Sequence, residues 1–102
     1  MNRKLILDTV EKCIYAIYEE KGNDPEQLNE LFEAEASIVE DANLYFDISF
    51  DSVDMVELII KISDATSVTI PDSELVNINT IGDLINAIEE IQCTKTVLEN
   101  HP

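Results

Sequence analysis

Bases are scarce in this chain. Of its 102 residues only six are Lys or Arg, against 22 Asp or Glu, and the net charge is −16 at pH 7. A surface of that sign repels nucleic acid, so no nucleic-acid partner is expected. There is no Trp, one His and two Cys. Cys13 and Cys93 stand far apart in no metal or redox spacing, so no metal site is expected. Each falls in an apolar-periodic segment, and both are expected as buried free thiols. The lone His101 lies in the terminal tail. A Cys–His or Ser–His–Asp site therefore has no base to draw on, and no catalytic residue is assigned. No run of ~18 apolar residues is present, so no membrane span is expected. Asp8 and Glu11 interrupt the short apolar start, no signal peptide is visible, and a cytoplasmic location is the expectation.

What is present suits a folded protein. Apolar residues make up 45% of the chain, which suffices for a modest core in one domain. The single domain is expected to have its core over about residues 4–92 and a frayed tail over 93–102. From Asp24 through Gln92 the only base is Lys61. A surface so one-signed steers toward basic patches on other proteins and raises association rates. It could also serve solubility alone.

The apolar spacing describes helices. Residues 3–20 keep Ile6, Val10, Cys13, Ile14 and Ile17 on one face, and Lys21-Gly22-Asn23 ends that helix. Asp24-Pro25-Glu26-Gln27 restarts a short helix with Asp24 as N-cap and an apolar edge of Leu28, Leu31 and Phe32. Residues 36–50 have no clear period and are read as a long loop pinned by its aromatics. A second main helix follows from Asp51 to about Ala65. Pro71-Asp72-Ser73-Glu74 opens a brief turn. Thr80 caps the last helix, whose stripe is Ile81, Leu84, Ile85, Ile88 and Ile91. The expected fold is all-α: a small antiparallel bundle of three main helices plus a short fourth, with a long loop between the first and second main helices.

The stretch from Asp51 to Leu58 carries the chemistry. Asp51 is a good N-cap, and Asp54 and Glu57 place negative charge near the positive end of the helix dipole. Ser52 then occupies the first helical position. A hydroxyl there is a handle on which another enzyme can load a group, and an attached anion meets unpaired backbone donors. The plainer alternative is a simple cap on a surface helix. Val53, Val56 and Ile60 form one stripe of this helix, and Met55, Ile59 and Ile62 a second. Leu58 lies away from both, among Asp54, Glu57 and Lys61. One apolar face is expected in the core, and a mixed acidic and apolar face beside Ser52 is left for a partner.

These residues resemble a family. Phe46-Asp47-Ile48-Ser49-Phe50-Asp51-Ser52-Val53-Asp54-Met55-Val56-Glu57-Leu58 is similar to the Asp-Leu-Gly-x-Asp-Ser-Leu-Asp-x-Val-Glu-Leu signature of the acyl carrier proteins. Asp24-Pro25-Glu26, Ile70-Pro71-Asp72 and Ile78-Asn79-Thr80-Ile81-Gly82-Asp83 match further family positions in order. The likeness runs from about Ile6 to Glu90. It implies that Ser52, next to Asp51, carries 4′-phosphopantetheine transferred from coenzyme A by a phosphopantetheinyl transferase. The terminal thiol of that arm would hold acyl groups as thioesters for acyl-loading, condensing and acyl-transfer enzymes of fatty-acid, polyketide or related synthesis. Asp51, Asp54 and Glu57 would meet basic patches on those partners, and Val53, Val56 and Ile60 would make the apolar contact. Ile59, Ile62, Ile78, Leu84, Ile85 and Ile88 would line the space for an acyl chain, or simply pack the core. A monomer is expected.

Three departures stand out. Ser49 replaces the usual glycine, Val53 replaces leucine, and Ala36–Phe46 is several residues longer than in typical members. Asp47 and Glu40-Asp41 compete for one family aspartate. Together they suggest a specialised carrier rather than a housekeeping one. Two other classes compete with this reading. Asp47, Ser49 and Asp51 have the 1-3-5 spacing of an EF-hand loop, but Ser52 and Leu58 stand where glycine and a bidentate Glu are needed. An acidic interaction module without an arm, or an aminoacyl carrier, remains the alternative.

Overall fold

The computed structural model describes the backbone of residues 2–99 and side chains as far as Cys93. Helix α1 spans Arg3–Glu20; a 3₁₀ turn at Pro25–Leu28 runs into α2 at Asn29–Phe32; α3 is Ala36–Asp41, α4 Ser52–Thr66 and α5 Ile81–Glu99, with a second 3₁₀ turn at Asp72–Asn77 before it. The described residues contain no strand beyond one antiparallel bridge, Asn43 with Thr80. None of the described helices is long and apolar enough to cross a membrane. The fold is the small all-α bundle the periodicity predicts.

Each long helix buries the expected stripe. Ile6, Val10, Ile14 and Ile17 of α1 meet Met55, Ile59 and Ile62 of α4 and Ile81, Leu84, Ile85 and Ile88 of α5 in one cluster. Cys13 lies beside Lys61, while Lys21 reaches Asp54, so α1 and α4 run antiparallel. Asn2 caps α1 by accepting from the Leu5 N–H, and Asp24 caps the turn at Pro25 by accepting from the Glu26 N–H at 2.9 Å.

Four sequence readings change. Residues 36–50 are not loop throughout, because Ala36–Asp41 forms α3. Six residues are too few for a helical period to show, and Val39 alone is buried. Leu58 is fully buried rather than set apart among charges. It follows Met55 by three positions, so both lie on the core side. Cys13 is buried as expected, but Cys93 is exposed. The last helix continues past Gln92 to Glu99; residues 100–102, the end of the expected frayed tail, and His101 with them, lie outside the described residues.

The remaining 42–50 segment is pinned to the start of α5. The Leu44 N–H donates to the Asn79 carbonyl at 2.8 Å, and the Ile81 N–H donates to the Ala42 carbonyl at 3.0 Å. Gly82 permits this approach. A Cβ on it would stand 3.0 Å from the Glu40 carbonyl oxygen, inside normal contact. Arg3 closes the same end, donating to Glu40 on α3 and to Asn86 and Glu89 on α5.

Candidate functional site

The site grows from the start of α4. Asp51 is extended and caps the helix, accepting from the Asp54 N–H at 2.9 Å. Asp54 returns the bond, accepting from the Asp51 N–H at 3.1 Å. Two orphan donors are satisfied reciprocally, as in a capping box. Ser52 is therefore the first helical residue, as expected, and it is exposed.

Asp54 does not stand on the outer face. It is only 6% exposed and is the one buried charged residue among the described residues. Its carboxylate accepts from Lys21 Nζ at 2.7 Å, across from the end of α1. Burial alone would push this carboxyl up, but the Lys21 ammonium and the Asp51 N–H outweigh that and hold it below the usual carboxylate range. The same pair raises Lys21 above the usual lysine range, chiefly through the hydrogen bond to Asp54. A docking role for Asp54 is thus corrected: its charge is spent inside the fold. The third position after an N-cap turns back toward the cap, and lysine 33 residues upstream completes it.

The other expected docking residues do gather on one face. Val53 is 72% exposed, Ile60 56% and Val56 43%, against a core-facing Met55, Leu58, Ile59 and Ile62. Val53, Val56, Glu57 and Ile60 border a shallow open depression of about 570 Å³ that begins at Ser52 and ends at Lys61 and Asp64. Lys61 Nζ donates to Glu20 of α1 at 2.8 Å. Glu57 stands beside Glu20, and that neighbouring carboxyl raises its own, while the bond from Lys61 lowers that of Glu20. Ser52 itself has no side-chain hydrogen-bond partner among the described residues, so no base is in place to activate its hydroxyl.

The approach to Ser52 is held from α1. The Tyr18 hydroxyl donates to the Ile48 carbonyl at 2.5 Å. The Tyr18 and Phe50 ring centroids lie 6.0 Å apart, and Lys21 Nζ stands 5.8 Å from the Phe50 centroid. Between these contacts Ser49 turns the chain at φ +66°, in the left-handed region. Ser49 occupies the position where glycine would meet no steric cost. Asp47 accepts from the Asn43 N–H at 2.7 Å and so closes the preceding turn. Tyr18, Glu20 and Lys21 were not singled out from sequence. Their partners lie 30 to 41 residues away, and nothing local marks them.

The exposed hydroxyl suits a phosphate ester. It projects from the first turn of a 15-residue helix, where the dipole favours an anion, and Lys21 offsets one of the neighbouring acids. Comparison with known proteins agrees with that chemistry. Residues 26–88 match the family model described as phosphopantetheine attachment site. The chain is also similar to the acyl carrier protein of Lactobacillus acidophilus (strain NCFM), with 39% identity over 56 residues, which is 55% of this chain and 70% of that protein.

Proposed function

The chain belongs to the family of domains bearing a phosphopantetheine attachment site, with 4′-phosphopantetheine as its covalent cofactor, and we propose that Ser52 is the attachment point. The observation that carries this reading is an exposed, base-free hydroxyl at the head of α4, beside an apolar face that the core does not use. With a base and a metal ion supplied by a phosphopantetheinyl transferase, the Ser52 oxygen gives its proton to that base and attacks the pyrophosphate of coenzyme A, so that the phosphodiester forms as adenosine 3′,5′-bisphosphate leaves. The chain's own contribution is to hold Ser52 at the rim and leave space for the arm to emerge.

Loaded in this way, the protein carries acyl groups as thioesters between enzymes and acts as a monomeric carrier rather than a catalyst. Acyl-loading, condensing and acyl-transfer enzymes would dock on Val53, Val56 and Ile60, with basic side chains toward Asp51 and Glu57. Ser49, Val53 and the extended 36–46 segment favour a dedicated pathway over general fatty-acid synthesis. Buried Ile59, Ile62, Ile78, Leu84, Ile85 and Ile88 pack the core, and an acyl chain entering between the helices would lie among them.

The test is the intact mass after incubation with coenzyme A, magnesium and a broad-specificity transferase. One added phosphopantetheine, lost in Ser52→Ala, is expected. No gain, with a control carrier loaded in parallel, would sink the assignment and favour an arm-free interaction module.

A further inference from the structure

Phe46 is the most exposed large apolar residue among the described residues, at 86%. Single apolar residues on a surface are ordinary. Phe46 differs in how it is held. The chain has three Phe; Phe50 is buried and Phe32 packs on Tyr15 with ring centroids 5.5 Å apart. Phe46 instead tops a turn whose backbone is tied down on both sides. Asn43 Oδ1 accepts from the Tyr45 and Phe46 N–H groups at 2.9 and 3.0 Å. The Asp47 and Ile48 N–H groups donate to the Asn43 carbonyl at 2.9 and 3.2 Å. Leu44 and Ile48, on either side, are fully buried. The ring is thus presented on a fixed backbone, and only its own two torsions remain to be frozen on contact.

The surroundings say what kind of surface fits it. Acids flank Phe46 along the chain at Glu40, Asp41, Asp47 and Asp51, with no base between Asp24 and Lys61. A complementary pocket is apolar within and basic at its rim, and an anionic lipid surface is repelled. Ser52 follows Phe46 by six positions, so the two Cα atoms are no more than roughly 22 Å apart. A standard interface covers about 800 Å² on each partner, roughly 30 Å across. A footprint of that width can include both Ser52 and Phe46.

We propose that Phe46 is an anchor for the transferase that loads Ser52, its ring filling an apolar, basic-rimmed pocket on that enzyme. This rests on Ser52 being the loaded residue. The Phe46 ring takes no part in the bond made at the Ser52 hydroxyl, so its loss weakens encounter and leaves the chemical step alone. Its exposure also means that replacement leaves the fold intact.

The experiment measures loading kinetics by intact mass, with coenzyme A, magnesium and a broad-specificity transferase, for wild type, Phe46→Ser and Phe46→Leu. Phe46→Ser is expected to lose about tenfold in kcat/KM, a difference of 1.4 kcal/mol, through a raised KM at unchanged kcat. Phe46→Leu should keep most of the rate, and thermal melts of all three should coincide. Loading of Phe46→Ser within twofold of wild type would overturn the anchor and leave Ser52 in place. Failure of wild type to load, beside a loaded control carrier, would overturn both.

Discussion

Replacing Asp54 with Asn keeps the side chain's shape and removes its charge, so it isolates the ion pair beneath Ser52. The Asn carbonyl oxygen can still accept from the Asp51 N–H, now at 3.1 Å. The same oxygen accepts from Lys21 Nζ at 2.7 Å, so the Asn oxygen can keep both bonds, and what is lost is the charge behind them. A hydrogen bond to a charged group contributes about 1.5–3 kcal/mol. Lys21 keeps 34% of its side-chain surface in water and can rehydrate, so the loss is discounted to about 1–2 kcal/mol. For a chain of this size that lowers Tm by roughly 5–10 °C.

The pH dependence gives the sharper test. Asp54 titrates below its unfolded value of about 4, so the unfolded chain binds the extra proton and ionised Asp54 stabilises the fold above that pH. This contribution disappears as pH falls through the folded value. Lys21 is raised, so its share is present below the unfolded lysine value and is lost as pH rises through the folded one. The gap in Tm between wild type and Asp54→Asn should be wide at pH 7 and 5 and smaller at pH 3. Melts followed by circular dichroism avoid the neighbourhood of the pI of about 4.1, where an uncharged chain associates. A gap under 2 °C at pH 7, or an equal gap at pH 7 and 3, would refute the role assigned to this pair.

Ser49→Gly and Ser67→Gly should each raise Tm by a few degrees. Both serines sit at positive φ, +66° and +60°, where a side chain costs about 1–2 kcal/mol and the glycine's extra unfolded-state entropy returns roughly 0.4–1 kcal/mol of that gain. A lower Tm in either variant would mean the serine hydroxyl stabilises the turn. Gly82→Val should destabilise by about 1–3 kcal/mol through overpacking against the Glu40 carbonyl, seen in denaturant midpoints; an unchanged midpoint would show that α3 gives way freely. Glu57→Lys should slow phosphopantetheine loading more at low salt than at high salt, because the exposed charge acts through screened steering; equal slowing at both would remove the steering argument.

The helices were legible because their stripes are long. Five apolar positions fix the buried face of α1, and Thr80 with Asp83 marks the start of α5, where Thr80 Oγ1 accepts from the Asp83 N–H at 3.0 Å. The short α3 left no such trace, since six residues carry one buried side chain. Leu58 has charged neighbours along the chain, but its spacing of three from Met55 puts it on the core side. The exposed face of α4 was readable for the complementary reason. Val53, Val56 and Ile60 repeat at helical spacing on the side opposite the core, and a surface stripe of that kind has no packing explanation.

The acids of α4 show where sequence reading stops. Asp51, Asp54 and Glu57 lie three apart and look alike as a negative edge. The structure gives each a different use: one caps, one is buried against Lys21, and one joins Glu20 at the surface. What separates them is the last turn of α1, which supplies Tyr18, Glu20 and Lys21 to the stretch from Ile48 to Lys61. No periodicity in α4 encodes that contact, because it depends on how two helices far apart in sequence meet. The same turn fixes Ser52 in place, since Tyr18 holds the Ile48 carbonyl and Lys21 holds Asp54 on either side of it. The placement of Ser52 is therefore a property of the α1–α4 pairing, and changes in the last turn of α1 should be felt at Ser52 before they are felt in the core.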